Sequence, residues 1–152
     1  MVEAFYDKPD NVWKHMYRLA ELNRLQQNFP YSDQGRHRML VAVSKSTDEI
    51  IGFCDVDNRP ATPNIHYKNN PRPILSDLMV SSAFRRKGIA RQLVEFCEKT
   101  CLDDFKAQEL FIRVLKGNEA AIAMYNNFGY EVIDNPGDPD EVILMKKDLR
   151  DS

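Results

Sequence analysis

Residues 74–96 read ILSDLMVSSAFRRKGIARQLVEF, and this stretch decides the fold. Ile74 to Val80 is an apolar run of strand length, preceded by Pro73 and ended by a Ser-Ser pair. Three consecutive cations follow, Arg85, Arg86 and Lys87, and then Gly88 and the small Ala90. From Gly88 to about Lys99 the apolar residues Ile89, Leu93, Val94, Phe96 and Cys97 recur at helical spacing. A strand that runs through a basic turn into a helix sets free N–H groups and the positive end of a helix dipole beside those cations. Gly88 lets the backbone approach whatever binds there. In physical terms the segment is a cradle for a diphosphate, each charge favoured at the helix start by about 0.3–1 kcal/mol. The phosphate-loop pattern GxxxxGK(S/T) and the dinucleotide pattern GxGxxG are both absent. Taken alone, the same residues also read as a solvated basic helix start.

Working outward, Met39 to Val43 and Ile50 to Val56 are β-rich runs flanking a turn, SKSTDE, and predict a hairpin. Toward the N-terminus, Val12, Met16, Leu19, Ala20, Leu22 and Leu25 predict a helix over Asn11 to Phe29, capped by Asp10 or Asn11 and stopped at Pro30. Asp57 to Pro73 carries Pro60, Pro63, Pro71 and Pro73 with Asn64, Asn69 and Asn70, the composition of a long loop. Glu109 to Leu115 reads as a strand, Asn118 to Asn127 as a helix capped by Asn118, and Tyr130 to Ile133 as a strand. After the loop DNPGDPDE, Val142 to Met145 closes the sheet. The order α, β-β, β-α-β-α, β-β predicts a mixed sheet with helices on its faces, an α/β (α+β) fold. The unit from Ile74 to Leu115 is expected to be a right-handed parallel crossover.

At 152 residues the chain is expected to form one domain over 1–152. Apolar residues make up 43% and charged residues 29%, enough for a core and a polar surface, and far from the composition of a disordered chain. Lys plus Arg number 21 against 23 Asp plus Glu, a formal charge of -2, which argues against a general nucleic-acid binder and leaves room for a local basic patch. No apolar run is long enough to span a bilayer, so no membrane partner is expected. MVEAFYDKPD resembles neither a signal nor a transit peptide, so a cytoplasmic location is expected, or an organelle if a leader has been removed. Cys54, Cys97 and Cys101 contain no CxxC pair and read as small core residues; Cys97 and Cys101 share a helix face. His15, His37 and His66 lack ligand spacing, and no metal site is expected.

After the crossover comes IRVLKGNEAAIAMYNNFGYEV, residues 112–132: a strand, an Asn-capped helix, and Tyr125 seven residues beyond Asn118. With this second segment the chain resembles the GNAT superfamily of N-acetyltransferases. The family's R/Q-x-x-G-x-G/A motif is matched by Arg85-Arg86-Lys87-Gly88-Ile89-Ala90, and its strand-end triplet by Leu78-Met79-Val80. Its downstream Asn and Tyr motif is matched by Asn118, Ala120, Ala121, Ile122 and Tyr125, with Phe128-Gly129-Tyr130 behind it. The resemblance implies a mostly antiparallel GNAT-like sheet with a central β-α-β-α segment that binds acetyl-CoA, the acetyl donor. Leu78, Met79 and Val80 would hold the pantetheine arm by their backbone. Arg85, Arg86, Lys87, Gly88, Ile89 and Ala90 would hold the pyrophosphate, assisted by Arg91. Asn118 and Ala121 would meet the cofactor arm. Tyr125 would be the general acid toward the departing thiolate, a role suited to a phenol protonated at neutral pH.

Two positions where relatives carry a base are Arg113 and Ile74 here, and neither can accept a proton. Asp77 matches an acidic position in spermidine/spermine acetyltransferases and is the remaining candidate, to attract an ammonium group or act through water; it also reads as a structural carboxylate. Arg113, if it faces the site, would repel a cationic amine. Acceptor choice in the family implicates Asn28 to Arg38, the proline-rich loop 58–73, and Asp134 to Glu141, with Tyr31, His66 and Tyr67 as groove aromatics. Asp134, Asp138, Asp140 and Glu141 read as a solvated acidic loop. The expected partner is an amine acceptor, either a peptide or protein α-amine, a lysine, or a small amine such as a polyamine or arylalkylamine. A monomer or homodimer is expected. The competing class is a non-catalytic acyl-CoA-binding sensor.

Overall fold

Exposure alternates along the first apolar run, the signature of a strand with one face on a core. In β1 (His37–Val43), Leu40 and Ala42 pack inward while Met39, Val41 and Val43 stay exposed. The computed structural model describes residues 35–61, 70–134 and 138–150. The helix expected over Asn11 to Phe29 lies outside those residues, as do Tyr31, His66 and Tyr67. The strand expected to begin at Met39 instead begins two residues earlier, with His37 and Arg38 opening β1. Burial drives this: the imidazole Nε2 of His37 lies 2.9 Å from Asp55 Oδ2, and both side chains are under a tenth exposed.

The remaining elements are β2 (Ile50–Asp57), β3 (Ile74–Val80), a short 3-10 turn at Ser82–Phe84, α1 (Ile89–Asp103), β4 (Glu109–Leu115), α2 (Glu119–Asn127), β5 (Glu131–Ile133) and β6 (Val142–Asp148). They form a six-stranded sheet in the order β1-β2-β3-β4-β6-β5. Every neighbouring pair is antiparallel except β3 and β4. The mixed, mostly antiparallel sheet flanked by helices is the fold class read from the sequence.

One face of the sheet carries the main core. Cys54, Val56, Leu75, Leu110, Ile112, Val114 and Met145 meet Leu93, Val94, Cys97 and Cys101 of α1 and Tyr125 of α2. Each fully buried Val or Leu contributes roughly 1.5–3 kcal/mol. The other face has a smaller cluster of Ile74, Phe111 and Leu144, with Ile133 packed against it. The three thiols are buried and unbridged, as their reading as core residues requires. Cys54 Sγ sits 3.4 Å from Cys97 Sγ; that contact and burial push the Cys97 thiol far up, and burial takes Cys101 up to about 12.

Asp57, at the end of β2, accepts from Arg59 Nε and Nη2 at 2.8 Å and faces Arg72 Nη1 at 2.8 Å. Burial would raise its pKa, but the Arg59 hydrogen bonds and the Arg72 charge outweigh it and hold the carboxyl below its ordinary value. The depressed folded-state value means that this stabilisation is complete above the unfolded carboxyl range and is lost as pH falls through the folded value. An Asp57→Asn variant is therefore expected to differ most from the wild type above about pH 5, with the gap in Tm closing as both are acidified. A pH-independent gap would overturn this account.

Candidate functional site

The site follows from how two parallel strands part. β3 and β4 pair only at Ile74 with Phe111 and Leu75 with Ile112, although both continue for several residues. Beyond Leu75, the edge of β3 that faces β4 has no ladder partner, so a gap opens through the sheet. Unpaired strand backbone of this kind accepts an extended ligand as an added strand. Leu78, Met79 and Val80 line the gap from β3.

β3 is itself irregular there. Phe53 pairs with Met79 and Asp55 with Ser76, so one residue of β2, Cys54, faces two of β3. The extra residue is a bulge at Asp77 and Leu78, and Asp77 has φ +53. Asp is one of the few residues that tolerates this left-handed backbone. The bulge resets the strand's phase, so that Leu78 and Val80 join the core with Leu75. The half-buried Asp77 thus stands at the mouth of the gap.

Beyond Val80 the chain turns through Ser82–Phe84 and starts α1 at Gly88, whose φ of +79 only glycine adopts freely. No side chain caps α1, and the first helical hydrogen bond runs from Gln92 N–H to the Gly88 carbonyl. The N–H groups of Ile89, Ala90 and Arg91 are left to a ligand. Arg85, Arg86, Lys87 and Arg91 are exposed around them. Arg85 Nε donates to the Val80 carbonyl at 3.1 Å, and Lys87 Nζ lies 5.0 Å above the Phe84 ring. The Arg91 guanidinium stacks 4.6 Å over Phe128. Four cations and an open helix N-terminus at the end of an unpaired strand edge fit a ligand with a diphosphate and an extended amide arm.

Gly52 is a residue the sequence reading missed. A Cβ there would meet Leu93 Cδ1 at 3.1 Å, Ile89 Cγ2 at 3.2 Å and the Met79 carbonyl at 3.2 Å. Its absence lets the first turn of α1 settle onto β2 beside β3. A lone glycine inside an apolar strand was the available signal.

α2 supplies the other wall. Asn118 caps it, its side-chain oxygen accepting from Ala121 N–H at 3.1 Å. Seven residues on, Tyr125 is 5% exposed and shares the main core with Leu78, Val80 and Val114, beside the gap on the helix face. Its ring meets Phe128 and Tyr130 edge-on, at 6.3 and 5.8 Å between centroids. Burial, and then the neighbouring Cys54 and Cys97, push the phenol pKa far above its ordinary value. The shift keeps the phenol protonated at neutral pH, so it is no base there and has a proton to give, though as a weaker acid than a free phenol.

Two expectations about charge need correction. Arg113 does not present an uncompensated cation. Its Nε donates to Asp138 Oδ2 at 3.1 Å and its Nη1 to Asn70 Oδ1 at 2.8 Å. Asp138 in turn is not a solvated acid, since its side chain is only 6% exposed; Asp134, Asp140 and Glu141 are exposed as expected. The Arg113 charge is what draws Asp138 out of water.

Comparison with known proteins agrees with this geometry. The family model for the Acetyltransferase (GNAT) family matches residues 3–130. An N-alpha-acetyltransferase of Saccharolobus solfataricus is 34% identical over 126 residues, covering 76% of this chain and 74% of that protein. N-alpha-acetyltransferase 50 of Danio rerio is 26% identical over 150 residues, covering 88% and 84%. A GNAT acetyltransferase structure from Staphylococcus aureus superposes with a TM-score of 0.63 at 17% identity, covering 93% of this chain and 81% of that one. The chain belongs to the GNAT family and is an N-acetyltransferase whose acetyl donor is acetyl-CoA.

Proposed function

We propose that this enzyme acetylates the free α-amino group of a peptide or protein by direct attack of the amine in a ternary complex. The observation that carries the proposal is the gap between β3 and β4, which joins a cation-rich helix start and Tyr125 on one face to Arg113, Asn70 and Asp138 on the other. Acetyl-CoA, when bound, supplies the acetyl group activated as a thioester. The backbone of Leu78, Met79 and Val80 holds the arm as an added strand. The N–H groups from Gly88 to Arg91, with Arg85, Arg86 and Lys87, hold the diphosphate. Asn118 and Ala121 flank the arm at the start of α2, and Tyr125 gives its proton to the departing sulfur. Asp77, at the mouth of the gap, draws in the ammonium form of the acceptor and relays its proton to water.

The choice of acceptor follows from energetics and from the kinships. An α-amine with a pKa near 8 costs about 1.4 kcal/mol to present neutral at pH 7, whereas a lysine amine costs about 4.6 kcal/mol. With Arg113 and Ile74 at positions where relatives carry a base, the cheaper acceptor is favoured. The archaeal and fish relatives named above are both N-alpha-acetyltransferases. Covalent transfer through a cysteine is disfavoured by the burial of Cys54 and its contact with Cys97.

The test is release of free CoA from acetyl-CoA with peptides bearing free N-termini, lysine peptides, polyamines and arylalkylamines. Turnover is expected with free α-amines first. Preference for a lysine peptide or a polyamine overturns the choice of acceptor, and silence across the panel with acetyl-CoA still bound overturns catalysis in favour of a sensor. Asp77→Asn is expected to raise the acceptor KM several-fold with the acetyl-CoA KM unchanged, because ion attraction at a half-exposed site is modest. A variant that simply fails to fold would make Asp77 structural.

A further inference from the structure

We infer that Arg113 is a positioning residue for the acceptor: by holding Asn70, before β3, and Asp138, before β6, at once, it ties the two together beside the gap and thereby sets acceptor affinity. The inference rests on the proposal that the amine arrives on the face opposite Tyr125.

The placement follows from register. Arg113 stands across from Leu144, on the face of Phe111 and Leu144, while its neighbours Ile112 and Val114 point into the main core. Ile112 is the last residue of β4 that pairs with β3, so Arg113 is the first side chain on the face away from the main core beyond the point where the strands part. Its guanidinium spends Nε and Nη2 on the two oxygens of Asp138, at 3.1 and 3.4 Å, and Nη1 on Asn70 at 2.8 Å. The two partners lie 25 and 43 residues away along the chain. Side-chain exposures of 11% for Arg113 and 6% for Asp138 show that both charges have left water.

Chemistry explains why arginine occupies this position. A planar fork can satisfy a carboxylate side-on and still offer a third N–H to an amide oxygen, whereas an ammonium group has neither the reach nor the fixed angles. A buried ion pair is a poor source of net stability compared with apolar packing of the same volume. Its better-founded use is to specify one arrangement, and the arrangement here is the distance between two connections that border the acceptor's path. The charge is also cancelled locally, so the arriving ammonium meets a neutral wall.

The experiment separates positioning from mere support. Arg113→Met, Asp138→Asn, Asn70→Ala, Arg113→Lys and the double variant Arg113→Met/Asp138→Leu are compared by Tm and by steady-state kinetics with acetyl-CoA and the best peptide acceptor. Arg113→Met and Asp138→Asn are expected to raise the acceptor KM about tenfold, below the roughly 10²-fold that a 1 Å misplacement can cost, with the acetyl-CoA KM unmoved. Arg113→Lys keeps the charge without the fork and is expected to recover only part of the affinity. The double variant orphans no buried charge and is expected to regain Tm while its acceptor KM stays high. An acceptor KM that is unchanged in folded variants, or that recovers together with Tm in the double variant, overturns the inference. A wild-type enzyme that acetylates no α-amine overturns the reading beneath it, which is a distinguishable failure.

Discussion

Replacing Tyr125 by phenylalanine is expected to lower kcat by about 10²-fold or more, the usual worth of a positioned general acid, with acetyl-CoA affinity nearly unchanged. Phenylalanine keeps the ring and hence the edge-on contacts to Phe128 and Tyr130. The hydroxyl has no hydrogen-bond partner among the described residues, so its removal orphans nothing and Tm should stay within a degree or two of the wild type. Titration calorimetry with acetyl-CoA and CoA-release kinetics give the two readouts. Equal kcat in the two proteins would remove Tyr125 from the chemistry. The pH profile is a second check with a definite sign. Burial raises the phenol pKa, so the proton is in place throughout the neutral and mildly alkaline range. The wild-type rate should therefore climb as an α-amine near pKa 8 loses its proton, and should not fall again before about pH 10. A descending limb between pH 8 and 9.5 would mean that some other group supplies the proton.

What could be read from the chain divides by the range of the interactions involved. The limits of β3 and β4 were legible to the residue, because Pro73, the serine pair after Val80 and the polar residues around Glu109–Leu115 punctuate local apolar runs. The cation-rich helix start and the Asn118 cap were legible for the same reason: each works through backbone groups only a few residues apart. The bulge at Asp77 was not, since a left-handed aspartate leaves no periodic trace in seven residues. Nor was the start of β1, because His37 and Arg38 look like loop residues until Asp55, 18 positions away, pairs with the imidazole. α1 runs to Asp103 instead of about Lys99 because Cys101, a poor periodicity marker, is fully buried at its end. Arg113 was read only as a charge that would repel an amine if it faced the site, for a similar reason. Its partners are fixed by tertiary folding, and a sequence shows the charge without the carboxylate that cancels it.

The largest stability effect is expected at Glu98, which the sequence suggests only as a polar position on α1. Its side chain is 9% exposed; it accepts from Tyr130 Oη at 3.1 Å and from Lys147 Nζ at 2.9 Å. One carboxylate thus links α1, the residue after the α2 turn, and β6. Burial, and then the Glu98 charge, drive the Tyr130 phenol far up, so that hydroxyl stays a donor. Glu98→Ala leaves the Lys147 ammonium with little water and no anion, and strands the Tyr130 hydroxyl. Breaking a buried pair from one side costs roughly 3–5 kcal/mol. At this chain length that corresponds to a fall in Tm of roughly 6–20 °C. Tyr130→Phe, which removes only one neutral donor, should cost about 1 kcal/mol. Removing both charges in Glu98→Leu/Lys147→Met should recover most of the loss, because apolar side chains of similar volume replace buried ion pairs at little cost. The network also reaches the chemistry, since the Tyr130 ring held by Glu98 is one of the two that pack against Tyr125. Glu98→Ala should therefore lower kcat even well below its own Tm, and the double variant should recover stability more fully than rate. A Tm for Glu98→Ala within two degrees of the wild type would show that Lys147 and Tyr130 find water or other partners, and the link from α1 to Tyr125 would fall with it.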